Sequence, residues 1–259
     1  MNLLVRLRWV ITGLLLGAFA QPLAAQVTES PETVAPGRFL VEMDGLTLAM
    51  GRAEEARNTY TATAIASTLV STGLTSSVDI QVGFDLFYRY KLKYQGGSDS
   101  TSGLGDLSFR TKWTFWRNAE WGAAAAIIPY VKLPTSRDGL GTDAVEGGII
   151  VPWAMDLGAG VTAGAMASWD LVRNDADNGY DSHWLTSAYI GRPLPFGITL
   201  YGEALLEANS AKFSDWAGQI GGGALWQWSE QLQFDYQLLR GLNSRASDWT
   251  HVFRVNWGW

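Results

Sequence analysis

The chain has 259 residues, of which 47% are hydrophobic, 12% aromatic and only 17% charged, with 29 Gly, 13 Trp, 2 His, no Cys and a formal net charge of −6. So little charge beside so much Trp and Gly is unlike a soluble enzyme, in which about a quarter of residues are charged, and unlike a disordered chain, which is poor in aromatics. The negative balance argues against a nucleic-acid surface, and the lack of Cys excludes disulfides, thiol nucleophiles and thiolate metal ligands.

At the start, Arg6 and Arg8 precede an apolar run over 9–20, and Ala24 and Ala25 stand ahead of Gln26. This layout predicts a secretory signal peptide over 1–25, its apolar run being shorter than the roughly 17 to 25 residues a membrane-spanning helix needs. Residues 26–37 form a polar leader containing Pro31 and Pro36. A loose periplasmic tail is the expectation there, with a small plug as the alternative.

From residue 38 onward the hydrophobic pattern has a period of two. Over 78–94, Val78, Ile80, Val82, Phe84, Leu86, Tyr88, Tyr90, Leu92 and Tyr94 alternate with Asp79, Gln81, Gly83, Asp85, Phe87, Arg89, Lys91 and Lys93. That segment is far longer than the five or six residues common in globular strands. Alternation and turn chemistry predict twelve strands, at 38–50, 59–72, 77–94, 104–116, 121–133, 144–153, 158–170, 182–192, 197–208, 215–228, 231–241 and 248–259. The Ala- and Gly-rich segments alternate weakly, so a count from about 10 to about 14 fits the same pattern.

Short connections at 73–76, 117–120, 154–157, 193–196 and 229–230 alternate with longer polar ones at 51–58, 95–103, 134–143, 171–181, 209–214 and 243–247. Such a rhythm is expected of an outer-membrane barrel with short periplasmic turns and longer external loops. Trp113, Trp116, Trp121, Trp153, Trp226, Trp228, Trp257 and Trp259 fall at one set of strand ends and Trp169, Trp184, Trp216 and Trp249 at the other, as two interfacial girdles require. The fold expected is therefore all-β, a transmembrane antiparallel up-and-down β-barrel of about twelve strands over 38–259 in the bacterial outer membrane. The final strand ends on Trp259, which resembles the C-terminal signal recognised by the barrel-assembly machinery.

If the apolar faces meet lipid, the opposite faces line the lumen. The expected pore-lining set comprises Arg89, Lys91, Lys93, Arg110, Lys112 and Lys132 on one wall, with Asp79, Asp85 and Asp106 among them. Glu42, Asp44, Glu203, Glu207 and Asp235 supply an acidic wall, and Arg254 lies on the inward face of the last strand. Opposed walls of this kind set a transverse field that selects solutes by charge and size. A salt-bridged network filling the interior is the alternative arrangement.

The segment 103–113, Gly-Leu-Gly-Asp-Leu-Ser-Phe-Arg-Thr-Lys-Trp, and the opening 36–42, Pro-Gly-Arg-Phe-Leu-Val-Glu, resemble the phenol-degradation MetA-pathway outer-membrane transporter family. The resemblance implies passage of aromatic or other hydrophobic small molecules. In physical terms, Gly103 and Gly105 permit a tight entry into the strand, and Asp106 either points into the mouth or accepts backbone hydrogen bonds.

The expected function is a channel for passive uptake of small molecules, with outer-membrane lipid, the assembly machinery and a small solute as partners. No metal, cofactor, nucleic acid or catalytic residue is assigned. The alternatives are a plugged structural or adhesive barrel and, less favoured, a barrel hydrolase based on His183 or His251. The acidic loop with Asp170, Asp175, Asp177 and Asp181 lacks the ligand spacing of a calcium loop and is read as a solvated loop.

Overall fold

The computed structural model describes residues 27–52, 59–136, 144–174, 178–210, 214 and 216–259. The predicted signal peptide, and Asp175 and Asp177, lie outside these residues. Thirteen strands follow in order: β1 (Phe39–Arg52), β2 (Thr59–Gly73), β3 (Val78–Tyr94), β4 (Gly97–Gly103), β5 (Leu107–Asn118), β6 (Ala123–Leu133), β7 (Glu146–Gly158), β8 (Val161–Arg173), β9 (Tyr180–Pro193), β10 (Ile198–Asn209), β11 (Ala217–Gln227), β12 (Leu232–Gly241) and β13 (Trp249–Gly258). Consecutive strands pair antiparallel except that β4 and β5 both pair with β3, and β1 pairs with β13 to close the sheet. β4 and β5 run along β3 in one register, Gly103 opposite Tyr88 and Ser108 opposite Gly83, so they are two parts of one descending strand interrupted at 104–106. The ring is thus a twelve-stranded barrel. Closure leaves no exposed edge within the hydrocarbon, where an unpaired backbone group would cost several kcal/mol.

The burial pattern is inverted relative to a soluble protein. Exposed side chains include Ile80, Phe109, Trp113, Ile190, Leu200, Ile220 and Phe253, whereas Asp79, Gln81, Lys112, Glu203, Asp235, Gln237 and Asn256 are buried. Polar side chains face inward because lipid offers them no hydrogen bonds, and the apolar ones find in lipid an environment as favourable as a protein core. The chain ends close the seam: Phe39 N–H donates to the Trp259 carbonyl, Trp259 N–H returns the bond, both at 3.0 Å, and the two rings stack.

Two predicted connections are corrected. The span 95–103 is not an open loop, because 97–103 continues the sheet as β4, antiparallel to Tyr88–Tyr94. The turn expected at 154–157 lies further on: β7 runs to Gly158, and the reversal uses left-handed backbone at Gly158, Ala159 and Gly160, with φ of 85°, 51° and 74°. Trp153 to Leu157 alternate too weakly to mark that end from sequence.

The simple alternation also breaks at one level of the wall. Below it, the inward row runs Asp235, Arg254, Asp44, Ser67, Asp85 across β12, β13, β1, β2 and β3. Above it, the register of β1 on β13 slips between Asp44 and Leu46, and Ala66 of β2 has a φ of 54°. One residue per strand, Gly45, Ala66 and Leu86, drops out of the pairing there. An extra residue reverses the faces of everything that follows it in a strand. The inward row above the break is Leu239, Thr250, Ala49, Ala62, Tyr90, while Leu238, His251, Leu48, Thr63, Arg89 face outward.

Candidate functional site

The lumen is built from the inward rows, and the register decides which predicted residues reach it. Glu42, Asp44, Asp79, Asp85, Arg110, Lys112, Lys132, Glu203, Glu207, Asp235 and Arg254 all face inward. Arg89, Lys91 and Lys93 do not. The phase break beneath them turns all three to the outer face, and Tyr60, Tyr88 and Tyr90 take the inward positions. Tyr60 and Tyr90 stack with ring centroids 5.9 Å apart, and the Tyr60 hydroxyl lies 2.8 Å from the Ser247 hydroxyl of the β12–β13 connection. Continuous alternation in the sequence conceals this exchange, because the phase break falls at Leu86, between Asp85 and Phe87, with no Gly or Pro beside it to give a local signal.

Asp106 does both things considered for it. Its Oδ1 accepts from the Thr135 and Ser136 amides at 3.0 and 2.8 Å, and its Oδ2 lies 3.9 Å from Lys132 Nζ. Gly105 beside it donates its amide to the Asp85 carbonyl at 3.0 Å, and a Cβ there would stand 2.6 Å from the Asp85 side chain. The Gly-x-Gly-Asp motif therefore marks the interruption between β4 and β5, where the chain must pass close to β3.

The leader is the larger correction: it lies inside the barrel and is not a periplasmic tail. It enters over Gly73, where Pro36 forms a bridge and any Cβ would collide with the carbonyls of Val34 and Ala35. Climbing from there, the Val34 amide donates to Asp79 at 3.0 Å, Lys112 Nζ donates to the Glu32 carbonyl at 3.2 Å, and Thr114 donates to the Pro31 carbonyl. Arg117 pairs with the Glu32 carboxylate at 3.1 Å, and Arg110 with that of Glu29 at 2.5 Å. On the far wall, the Glu203 carboxylate accepts the amides of Val27 and Thr28 at 3.1 and 2.7 Å and the Thr28 hydroxyl at 2.6 Å. Ser187 completes the Thr28 contact, and Gln237 also donates to Glu203. Two prolines stiffen the segment, and its acids meet the basic wall while its amides meet an acid. The contacts offset the entropy of ordering a terminus, about 1 to 2 kcal/mol for each residue.

Burial opposes ionisation of Glu29, but Arg110 and Lys112, the hydrogen bond from Arg110 and the charge of Arg254 outweigh it and hold its carboxyl below the ordinary glutamate range. Much of the remaining lumen charge is paired locally. Arg254 bonds Asp44, Lys132 bonds Glu146, and Tyr201 donates to Asp235 at 3.1 Å. The expected transverse field is thus interrupted by the leader, which joins the two walls. Above it lies a cavity of about 310 Å³ lined by Glu29, Glu42, Asp85, Ser108, Arg110 and Arg254, among others.

The two histidines occupy opposite faces. His183 Nδ1 lies 3.3 Å from Asp170 and Nε2 3.6 Å from Glu207 inside the barrel, whereas His251 faces outward beside the Tyr236 hydroxyl at 3.0 Å. Ser182, adjacent to His183, accepts instead from Trp169 Nε1 at 3.1 Å. Among the described residues no group of three or more His, Asp or Glu is arranged to hold a metal ion.

Residues 24–258 match the family model described as "Putative MetA-pathway of phenol degradation". The chain belongs to this family. Among curated proteins none matches. Among solved structures, an outer membrane channel from Pseudomonas putida F1 superposes with a TM-score of 0.70 at 14% identity, covering 88% of this chain and 97% of that one. The translocator domain of the autotransporter NalP from Neisseria meningitidis gives 0.54 at 11% identity, over 98% and 96% of the two chains. The transport unit of the autotransporter AIDA-I from Escherichia coli gives 0.54 at 10% identity, over 95% and 96%. At these identities the likeness concerns the fold, that of an outer-membrane β-barrel.

Proposed function

We propose that this barrel is a passive outer-membrane channel for small molecules, in which the leader forms an internal constriction. The observation that carries the reading is the cavity of about 310 Å³ bordered by the leader and ringed by inward charged side chains. That volume suits a small solute, since ligand pockets span roughly 300 to 1,000 Å³. Asp44, Asp85, Asp106, Arg110, Lys132 and Arg254 line it and are assigned as pore-lining, with Asp79, Lys112, Glu203, Glu207 and Asp235 in the same role elsewhere in the lumen. Aromatic or hydrophobic compounds are the proposed cargo. The family description favours them, and Tyr60, Tyr88 and Tyr90 give the mouth a surface on which flat rings stack.

Residues 1–25 are proposed to direct export and the C-terminal aromatic strand to engage the assembly machinery. No energy source is invoked, so flux follows the concentration gradient. A plugged structural barrel is the second reading, and the leader lying across the bore favours it. The deciding experiment is single-channel recording of the refolded mature protein in a planar bilayer, with and without Arg110→Glu. Discrete steps whose ion preference moves with the substitution support the channel, whereas a silent bilayer with folded protein and no flux of small phenols into liposomes refutes it.

A further inference from the structure

The phase break leaves a charged surface that the lumen does not use. Above it, Arg89, Lys91 and Lys93 stand in one outward column on β3. Each is flanked by hydroxyl residues on both neighbouring strands: Arg89 by Thr63 and Ser102, Lys91 by Thr61 and Ser100, Lys93 by Thr59 and Ser98. Paired residues share a face, with side chains about 5 Å apart across strands, and alternate residues along a strand lie about 7 Å apart. The result is a cationic column between two columns of hydroxyl donors. Among the described residues the three cations enter no ion pair, and Asp248 lies 3.9 Å from Arg52. Arg240 adds a further outward cation, lying over the Trp249 ring at 5.5 Å.

The height of the column identifies what it meets. A strand tilted by about 40° climbs about 2.5 Å per residue along the barrel axis. Ile80 lies at the periplasmic side of the outward apolar belt, so Arg89 is about 22 Å above it and Lys93 about 32 Å. An apolar band of about 25 Å therefore ends at the foot of the column. Exposed Ile65, Leu86 and Phe87 lie directly beneath, and Trp249 stands in the same outward row as Lys91. Cations and hydroxyls at this level face the headgroups of the outer leaflet, which in such membranes is a phosphorylated glycolipid. Guanidinium and ammonium groups recognise phosphate through charge-assisted hydrogen bonds, and serine and threonine hydroxyls serve its remaining oxygens and sugar hydroxyls.

We propose that the outward surface formed by Arg89, Lys91, Lys93 and the flanking serines and threonines is a binding site for the phosphorylated headgroup of the outer-leaflet glycolipid. The site fixes the hairpin of β3 and β4 against the membrane surface, where β4 has no barrel neighbour on its far edge among the described residues. It does not depend on the channel reading, because it lies on the opposite face of the wall.

The test uses the refolded mature protein in neutral detergent with bisphosphoryl lipid A, read by native mass spectrometry. Wild type is expected to retain the lipid, and the triple variant Arg89→Gln, Lys91→Gln, Lys93→Gln to bind roughly a hundredfold more weakly, from the contribution of each basic side chain beside an anionic surface. Heat-modifiable gel mobility reports that the barrel is folded. Should the triple variant fail to fold, Arg89→Gln and Lys93→Gln alone are each expected to weaken binding about fivefold, and Lys91→Arg to preserve it. Equal binding by the Gln variants overturns the proposal. So does equal binding of dephosphorylated lipid A, which would place recognition in the acyl chains, or displacement by inorganic phosphate at lipid A concentrations, which would make this a free-anion site.

Discussion

Replacing Glu29 by Gln removes the strongest charge contact between the leader and the wall while keeping its shape. The pair with Arg110 has an N···O distance of 2.5 Å, and its side chains are only 14% and 18% exposed. At 4 Å and an effective dielectric of about 20 the attraction of two unit charges is about 4 kcal/mol, and desolvation cancels much of it. A hydrogen bond between charged groups retains about 1.5 to 3 kcal/mol net. Glu29→Gln keeps a weaker neutral acceptor, so the equilibrium between seated and displaced leader should shift by about ten- to a hundredfold. Single-channel recording would show this as a larger fraction of time in the higher-conductance state, and limited proteolysis as faster cleavage within the leader. Arg110→Gln should shift it further, since it leaves Glu29 buried without its cation, a loss of about 3 to 5 kcal/mol. Charge exchange, Glu29→Arg with Arg110→Glu, should restore part of the closure. If Glu29→Gln changes neither dwell times nor cleavage, while a leader deletion does, the leader is held by its backbone contacts and the electrostatic account is wrong.

Acidification should act through the same group. The Glu29 carboxyl is held below its ordinary range in the seated leader, so its contribution is fully present above about pH 4.3, the unperturbed value, and is lost as the pH falls through the seated value. Wild-type conductance should therefore rise as the bath is taken below about pH 4, and Glu29→Gln should lack that component. Gly73→Val should unseat the leader without touching any charge, because a Cβ would lie 2.2 Å from the Val34 carbonyl; leader proteolysis at wild-type barrel stability is the expected pattern, and an unaltered rate would refute the entry path. Gly105→Ala places a Cβ 2.6 Å from Asp85 and should destabilise the barrel by about 1 to 3 kcal/mol, read as a lower urea midpoint for loss of heat-modifiable mobility. Single cysteines at 83, 85, 88 and 90 should react with a lumen-accessible polar thiol reagent, and cysteines at 84 and 87, which face the apolar belt, should not; reactivity at 87 in place of 88 would show unbroken alternation.

Much of this protein was legible because the bilayer constrains a strand's sequence so tightly. Lipid demands an apolar residue at every second position and a strand of about ten residues, and closure with every pair antiparallel demands an even number of them, so a barrel of about twelve strands follows from period and spacing, with Trp113, Trp226 and Trp249 exposed on its surface. The inward faces of β5, β10, β12 and β13 follow likewise, and with them Arg110, Glu203, Asp235 and Arg254. The outward turn of Arg89 was not legible. A residue dropped from pairing at Gly45, Ala66 and Leu86 is a property of three strands together, whereas Val78 to Tyr94 taken alone alternate without a break. The leader was equally hidden: nothing in the polar run around Glu29 and Glu32 distinguishes a tail from a plug until Arg110, Arg117, Asp79 and Glu203, dispersed along the chain, are gathered around one bore. Periodicity is local and survives in the sequence, whereas the pairing of a buried charge with its partner exists only once the barrel has closed around both.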